Sequence, residues 1–284
     1  MARISLRSCA PPHFGGPMTI AVDDLEELRV AVQRLENPSL AARLASMVGA
    51  PVEMLGGVLP EKARAVITKA TSTALEKALQ VALATMRGQT GGPADRLHKS
   101  AVGLSGAMGG LFGLPALVIE LPISTTIMLR SIADIARCEG EELHSPETAL
   151  ACLQVFALGG RSESDDAMDA GYFAVRGALA RTMAQAAQVI AERGFIAEGA
   201  PVVVRFLGGI AARFGVTVGQ KFAMQAVPVI GAAGGALVNL AFIDHFQDVA
   251  RGHFTVRRLE RKYGAETVQA AYEALRDGQP VPVS

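Results

Sequence analysis

At 284 residues, half of them hydrophobic, the chain holds enough apolar material for a substantial core, which excludes extended disorder for most of it. Lys plus Arg and Asp plus Glu stand at 27 each, so the net positive field of a nucleic-acid binder is missing. Only 5% of residues are aromatic and Trp is absent, which favours closely packed helices over sheets rich in aromatic and β-branched residues.

In chain order, residues 1–20 carry basic residues but no apolar run before a Pro/Gly break, and are expected to form a flexible tail rather than a secretory signal. Residues 21–59 are expected to hold N-terminal helices. In DDLEELRVAVQRLENP, Leu25, Leu28, Val30, Val32 and Leu35 form a broad stripe that Pro38 stops, and SLAARLASMVGA adds a short helix. A helical domain over 60–276 and a short tail over 277–284 complete the expected division.

Pro60 to Arg87 is a long helical pattern with Glu61 near its start and Arg87 near its end, as the helix dipole favours. The GQTGGP that ends it lacks the Lys-Ser/Thr of a phosphate-binding loop. In HSPETALACLQVFAL, Ser145 is the expected N-cap, Pro146 takes the first helical position and Glu147 lies in the first turn, with Cys152 a small core residue. Cys9, Cys138 and Cys152 have no zinc-site spacing and read as reduced thiols of a cytoplasmic chain. SESDDAMDAGYFAVRGALARTMAQAAQVIAER continues as one helix or two, a break is expected near Gly194, and PVVVRF is a short β-rich run between helical patterns. The fold class is therefore all-α, a multi-helix bundle.

Two stretches without charge are each about as long as the ~20 residues that span a bilayer: residues 100–119 and residues 222–243. Gly106 with Gly110, Gly109 with Gly113, and Gly231 with Gly235 are GxxxG pairs, which let two helix backbones approach closely. Pro115, Pro122 and Pro228 interrupt the stretches, so buried Gly-rich hairpins or broken helices are the expectation and bilayer insertion the alternative. A weak internal echo pairs them: one runs into Asp134 to Arg137, the other into Asp248 to Arg251, so a pseudo-symmetric pair of hairpins is a topology to test.

Three phrases, GLPALVIELPISTTIMLRSIADIARCEGEEL, DAGYFAVR and AVPVIGAAGGALVNLAFIDHFQDVARGHFTVRRLERKYG, together resemble the EcsC family over roughly residues 60 to 275. The resemblance implies an accessory or regulatory role beside the subunits of an ABC transporter, without an established activity. It carries over no catalytic residue and implies no cofactor. A protease label is not supported, because the chain has no H-E-x-x-H or comparable zinc-ligand set.

Several polar residues are candidates for chemistry. Glu120 lies between apolar runs and, if buried, needs a partner such as Arg130, or a proton; the plainer expectation is that it caps a helix starting near Ser124, with Ser124, Thr125 and Thr126 satisfying backbone groups. Asp244, His245, Asp248 and His253 share one helical neighbourhood, although Asp248 with Arg251 reads as an ordinary helix-surface pair and a metal site is not expected. Asp165 to Asp169 have DDxxD spacing, read as acids at a helix start. Arg251, Arg257, Arg258, Arg261 and Lys262 follow the second uncharged stretch, where they could meet anionic lipid or form a solvated helix face.

The expected function is a cytoplasmic, membrane-associated accessory protein, peripheral at the inner face or inserted, whose partners are lipid or transporter subunits and not nucleic acid. The alternative is a small hydrolase or lipid-modifying enzyme. Its site would gather Glu120, Asp134, Asp244, His245 and His253, which requires these side chains to converge in space.

Overall fold

The apolar periodicity of the chain becomes helix along nearly all of its described length. The computed structural model describes residues 20–36, 60–86, 114–160, 171–194, 199–225 and 231–281. Among them are eight helices and no strand: α1 (Val22–Glu36), α2 (Glu61–Met86), α3 (Leu114–Cys138), α4 (Pro146–Leu158), α5 (Tyr172–Arg193), α6 (Pro201–Gln225), α7 (Gly231–Tyr263) and α8 (Ala265–Arg276). The protein is all-α.

At the centre lies α4. Every residue from Thr148 to Ala157 is buried, as in a helix packed on all sides. It touches α2, α3, α5, α6 and α7. Its start follows the sequence expectation: Ser145 has extended backbone angles, its hydroxyl accepts from the Thr148 N–H at 3.1 Å, and Pro146 occupies the first turn. Phe156 packs against Phe214 of α6 and Phe246 of α7, with ring centroids 4.9 Å and 5.4 Å away. These few aromatics thus sit where three helices meet.

Along α2, Ala70, Ala74, Ala78 and Ala82 recur every fourth residue and are all buried, which lets α3 and α6 approach closely along one face. PVVVRF forms the first turns of α6 rather than a strand. Burial of Val203 and Phe206 in the common core decides there over β propensity.

Cross-helix contacts fix the directions. Ser131 with Gln247, Glu139 with Thr255 and Glu141 with Arg257 are each 116 residues apart, so α3 and α7 run parallel. The partners of α1 descend along α7 as α1 ascends: Asp24 with Lys262, Glu27 with Arg258, then Ala31 and Leu35 around Gly252. The two are antiparallel, and with α8 they enclose a second core around Leu28, Tyr272 and Leu259.

Contrary to the expectation of a helix starting near Ser124, α3 begins at Leu114 and continues through Pro122. Proline removes the N–H that would bond the Val118 carbonyl, yet the helix runs on, and in the following turn the Ser124 hydroxyl donates to the Leu121 carbonyl at 3.2 Å and that of Thr126 to the Pro122 carbonyl at 2.8 Å. The expected short helix at 39–50, the GxxxG pairs Gly106/Gly110 and Gly109/Gly113, and Asp165 to Asp169 lie outside the described residues. Gly231 and Gly235 fall in the first two turns of α7.

Gly252 lies where α1 crosses α7, and a Cβ there would come within 2.8 Å of Leu35 Cγ and 3.1 Å of the Ala31 carbonyl oxygen. Gly252→Ala is expected to push α1 outward at a cost of roughly 1–3 kcal/mol. Gly177→Ala in α5, with open space around the new methyl, should gain up to about 1 kcal/mol from helix propensity. Urea denaturation of both variants checks the contrast.

Candidate functional site

The most unusual charge in the protein is Lys221. It lies near the end of α6 with no solvent exposure, and a bare ammonium there would carry a large desolvation cost. Three neighbours offset it. Glu120 Oε1 of α3 accepts at 2.8 Å, Asn239 Oδ1 of α7 accepts at 2.9 Å, and the Phe242 ring centroid lies 4.7 Å from Nζ. Glu120 is therefore paired with Lys221 rather than with Arg130, and it stands within α3 rather than capping it. One ammonium ties together the start of α3, the end of α6 and the start of α7.

Around this cluster the outer faces are apolar. Ile119 is 71% exposed and Ile123 lies one turn further along the same face of α3; on α7, Leu237 and Leu240 are each more than half exposed. Both stripes then turn polar, through Arg130 and Asp134 on α3 and through Asp244 on α7.

The far end of α7 is the opposite in character. His253 is fully buried, and its Nδ1 lies 2.8 Å from the Tyr172 hydroxyl. That hydroxyl also accepts from Arg176 at 3.1 Å, and the other ring nitrogen of His253, Nε2, has no hydrogen-bond partner among the described residues. Burial, reinforced by the cations Arg176 and Arg257, pushes the His253 pKa well down. Arg176 itself is held by both oxygens of Glu260, at 2.8 Å and 3.0 Å. Tyr272 stacks on Tyr172 and donates to Glu36 Oε1 at 2.7 Å.

The basic residues that follow are spoken for within the chain. Arg257 makes two bonds of 2.9 Å to Glu141, and Arg261 pairs with the same carboxylate. Arg258 joins Glu139 at 2.7 Å and also Glu27, while Lys262 and Tyr263 reach Asp24 at 2.5 Å and 2.6 Å. Burial raises the Glu141 carboxyl, but the two arginines outweigh it and hold it below the ordinary range. The bonds from Lys262 and Tyr263 hold the Asp24 carboxyl low as well. Arg251 bonds Asp248 at 3.2 Å one turn away, the helix-surface pair its spacing suggested.

The five side chains expected of a hydrolytic site have separate environments. Glu120 is at the apolar end, and Asp134 is exposed beside Arg137 at 3.2 Å. Asp244 is exposed on α7. His245 donates from Nε2 to the Gly159 carbonyl at 2.8 Å, and His253 faces Tyr172. Along α3, Glu120 and Asp134 are about 21 Å apart at 1.5 Å per residue. Among the described residues no three of His, Cys, Asp and Glu gather as metal ligands do. A cleft of about 420 Å³ does open between α1, α3 and α7, lined by Arg34, Ser131, Cys138 and Arg251 among others.

The model of the EcsC protein family matches residues 23–259. The chain belongs to the EcsC family. No curated protein and no solved structure matches it. The matched span runs from α1 through most of α7 and leaves α8 outside, in keeping with the packing of α1 along α7.

Within this EcsC protein the sequence pointed to Glu120 but not to its partners. Lys221 marked only the edge of an uncharged stretch, although Asn239 and Glu120 are lone polar residues in two otherwise apolar runs, a pattern that invites pairing. The pairings of Tyr172 with His253 and of Arg176 with Glu260 have no local signal, because the partners are more than 80 residues apart.

Lys221→Met, which leaves the Glu120 carboxylate buried without its cation, is expected to cost about 3–5 kcal/mol in urea denaturation, and the double variant Glu120→Leu/Lys221→Met to recover most of that loss. His253 supplies a second expectation. Its pKa is depressed in the folded chain, so below an unfolded pKa of about 6.5 only the unfolded chain takes up the proton. Its contribution is complete above that value and is lost as pH falls toward the folded pKa. His253→Asn keeps an acceptor for Tyr172 without titrating, and the drop in stability between pH 7.5 and pH 5 should be smaller in that variant.

Proposed function

We propose that this protein is a membrane-associated accessory protein of the EcsC family that meets the cytoplasmic face of the bilayer with the end of the bundle marked by Lys221. The observation that carries the reading is the apolar rim of Ile119, Ile123, Leu237 and Leu240, exposed on two helices whose buried polar groups hold the same ammonium. From Ile119 to Ile127 the outer face of α3 rises about 12 Å, close to the roughly 5–10 Å to which interfacial helices sink into the headgroup and acyl boundary.

The rim also adjoins both uncharged stretches, since α3 and α7 begin inside them. α6, from Pro201 to Met224, is the one described helix long and apolar enough to cross a membrane, and 44% of its most apolar window is buried inside the protein. With less than half of that window buried, length and composition alone do not make α6 a span, and the reading rests on the rim instead.

Lipid contact through Arg257, Arg258, Arg261 and Lys262 is a different geometry. Asn239 and Arg258 are about 28 Å apart along α7, nearly a hydrocarbon thickness. A shallow, end-on contact at the rim leaves that basic set far from the headgroups, where its pairing with Glu139, Glu141, Asp24 and Glu27 clamps α1 and the turn after α3. An ABC-transporter subunit is the protein partner that the family resemblance implies, with the bilayer bringing the two together.

Flotation of the full-length protein on liposomes tests this reading. Each Leu or Ile withdrawn from water contributes roughly 1.5–3 kcal/mol, so replacing Ile119, Ile123, Leu237 and Leu240 by Ser should reduce flotation at least about tenfold with helical circular dichroism unchanged. A native protein that stays at the bottom of the gradient, or a quadruple variant that floats equally well, refutes it.

A further inference from the structure

The cations of the α1–α7 face are nearly all matched to carboxylates, and the exception is Arg34. In the last turn of α1, half-buried, it lines the cleft of about 420 Å³ without a hydrogen bond or ion pair among the described residues. Arg251 lines the same cleft from α7. Asp248 and Gln247 fix it at 3.2 Å and 3.5 Å, which leaves further guanidinium N–H groups to donate.

Between them the floor is polar. Gln247 Nε2 donates to Ser131 Oγ at 2.8 Å, so the Ser131 hydroxyl keeps its own proton to give, and the Gln247 amide keeps a second one. Two carboxylates also line the cleft, Asp134 and Glu139, and each already holds an arginine outside it, Arg137 and Arg258. The groups free to give a proton include two cations, and each carboxylate keeps lone pairs that its arginine does not use.

We propose that this cleft binds a small phosphomonoester, its phosphate gripped by Arg34 and Arg251 and its hydroxyl-bearing end facing Asp134 and Glu139. Guanidinium groups match phosphate oxygens two at a time, and charge-assisted bonds of that kind are about twice as strong as neutral ones. A volume of about 420 Å³ falls within the range of small-molecule sites. The phosphate could belong to a soluble metabolite or to a lipid headgroup. Along α3, Ser131 stands about 18 Å from Ile119, so a bilayer met by the apolar rim does not reach the cleft, and the geometry favours the soluble source.

Cys138 offers a reporter. Its thiol is exposed at the cleft, whereas Cys152 is buried and its thiol is pushed up to about 12 by that burial. In full-length protein carrying Cys9→Ser, the rate of Cys138 alkylation and the heat of binding are followed with glycerol 3-phosphate, with inorganic phosphate, and with vesicles containing phosphatidic acid, against sodium chloride at equal ionic strength. Glycerol 3-phosphate should bind saturably and slow alkylation at least about fivefold, and Arg34→Gln should weaken binding about tenfold or more. Arg29→Gln, the same charge change on the exposed side of α1, should leave it intact. Protection by the vesicles alone assigns the phosphate to a lipid. Absence of saturable binding in every arm, equal protection by chloride, or binding that survives Arg34→Gln overturns the site.

Discussion

A fully buried ammonium with two oxygen acceptors and an aromatic face is the constraint on which the bundle's apolar end depends. Lys221 cannot be left alone in that interior, so α3 must deliver Glu120 and α7 must deliver Asn239 to the same point. Ordinary apolar packing is tolerant of sliding, because one small side chain can replace another in a contact. A buried ion pair with a third polar partner is not, and it fixes the register of three helices at once. The parallel course of α3 and α7 then carries that register to the Ser131–Gln247 bond and on to Glu139 and Glu141.

The two ends of α7 solve opposite problems with the same chemistry. At its start, one charge pair is sealed inside and hydrophobic side chains face outward. Near its finish the aromatic and imidazole groups are sealed inside, around Tyr172 and His253, while charges face outward and share the carboxylates of α1 and of the turn after α3. A lattice of partly exposed pairs contributes little per bond, yet it determines which helix lies where: α1 has no other strong claim on α7 beyond its stripe of Leu28, Ala31 and Val32 and the notch at Gly252. Charge matching and small-residue fit act together there.

The all-α class was legible because apolar residues recur at helical spacing almost everywhere, and the start of α4 was legible because Ser145, Pro146 and Glu147 form a local signal. Membership in the EcsC family could likewise be read from long phrases rather than from single residues. What escaped the sequence was every pairing over long separation. Glu120 could be singled out as a lone acid in an apolar run, but its cation lies 101 residues further on, and no local rule chooses Lys221 over the nearer Arg130. Pro122 misled because losing one N–H does not stop a helix whose residues on either side, Leu121, Met128 and Leu129 among them, are held in the common core. PVVVRF reads as a β-rich run until the core that buries Val203 and Phe206 is known.

Arg257, Arg258, Arg261 and Lys262 show why a charge count along the chain is a poor guide to a surface. In sequence they form a basic run with Glu260 as its lone acid; in space four carboxylates from α1 and from the turn after α3 stand against them, so the field they present is far weaker than their number suggests. Arg34 is the converse case. It is one unremarkable cation at the end of an amphipathic helix, placed where the dipole favours it, and only the fold shows it lining a concave surface with no carboxylate partner among the described residues. Where matched charges are the rule, an unmatched one beside a cleft is the position at which an external anion gains most, because no internal bond must be broken before it binds.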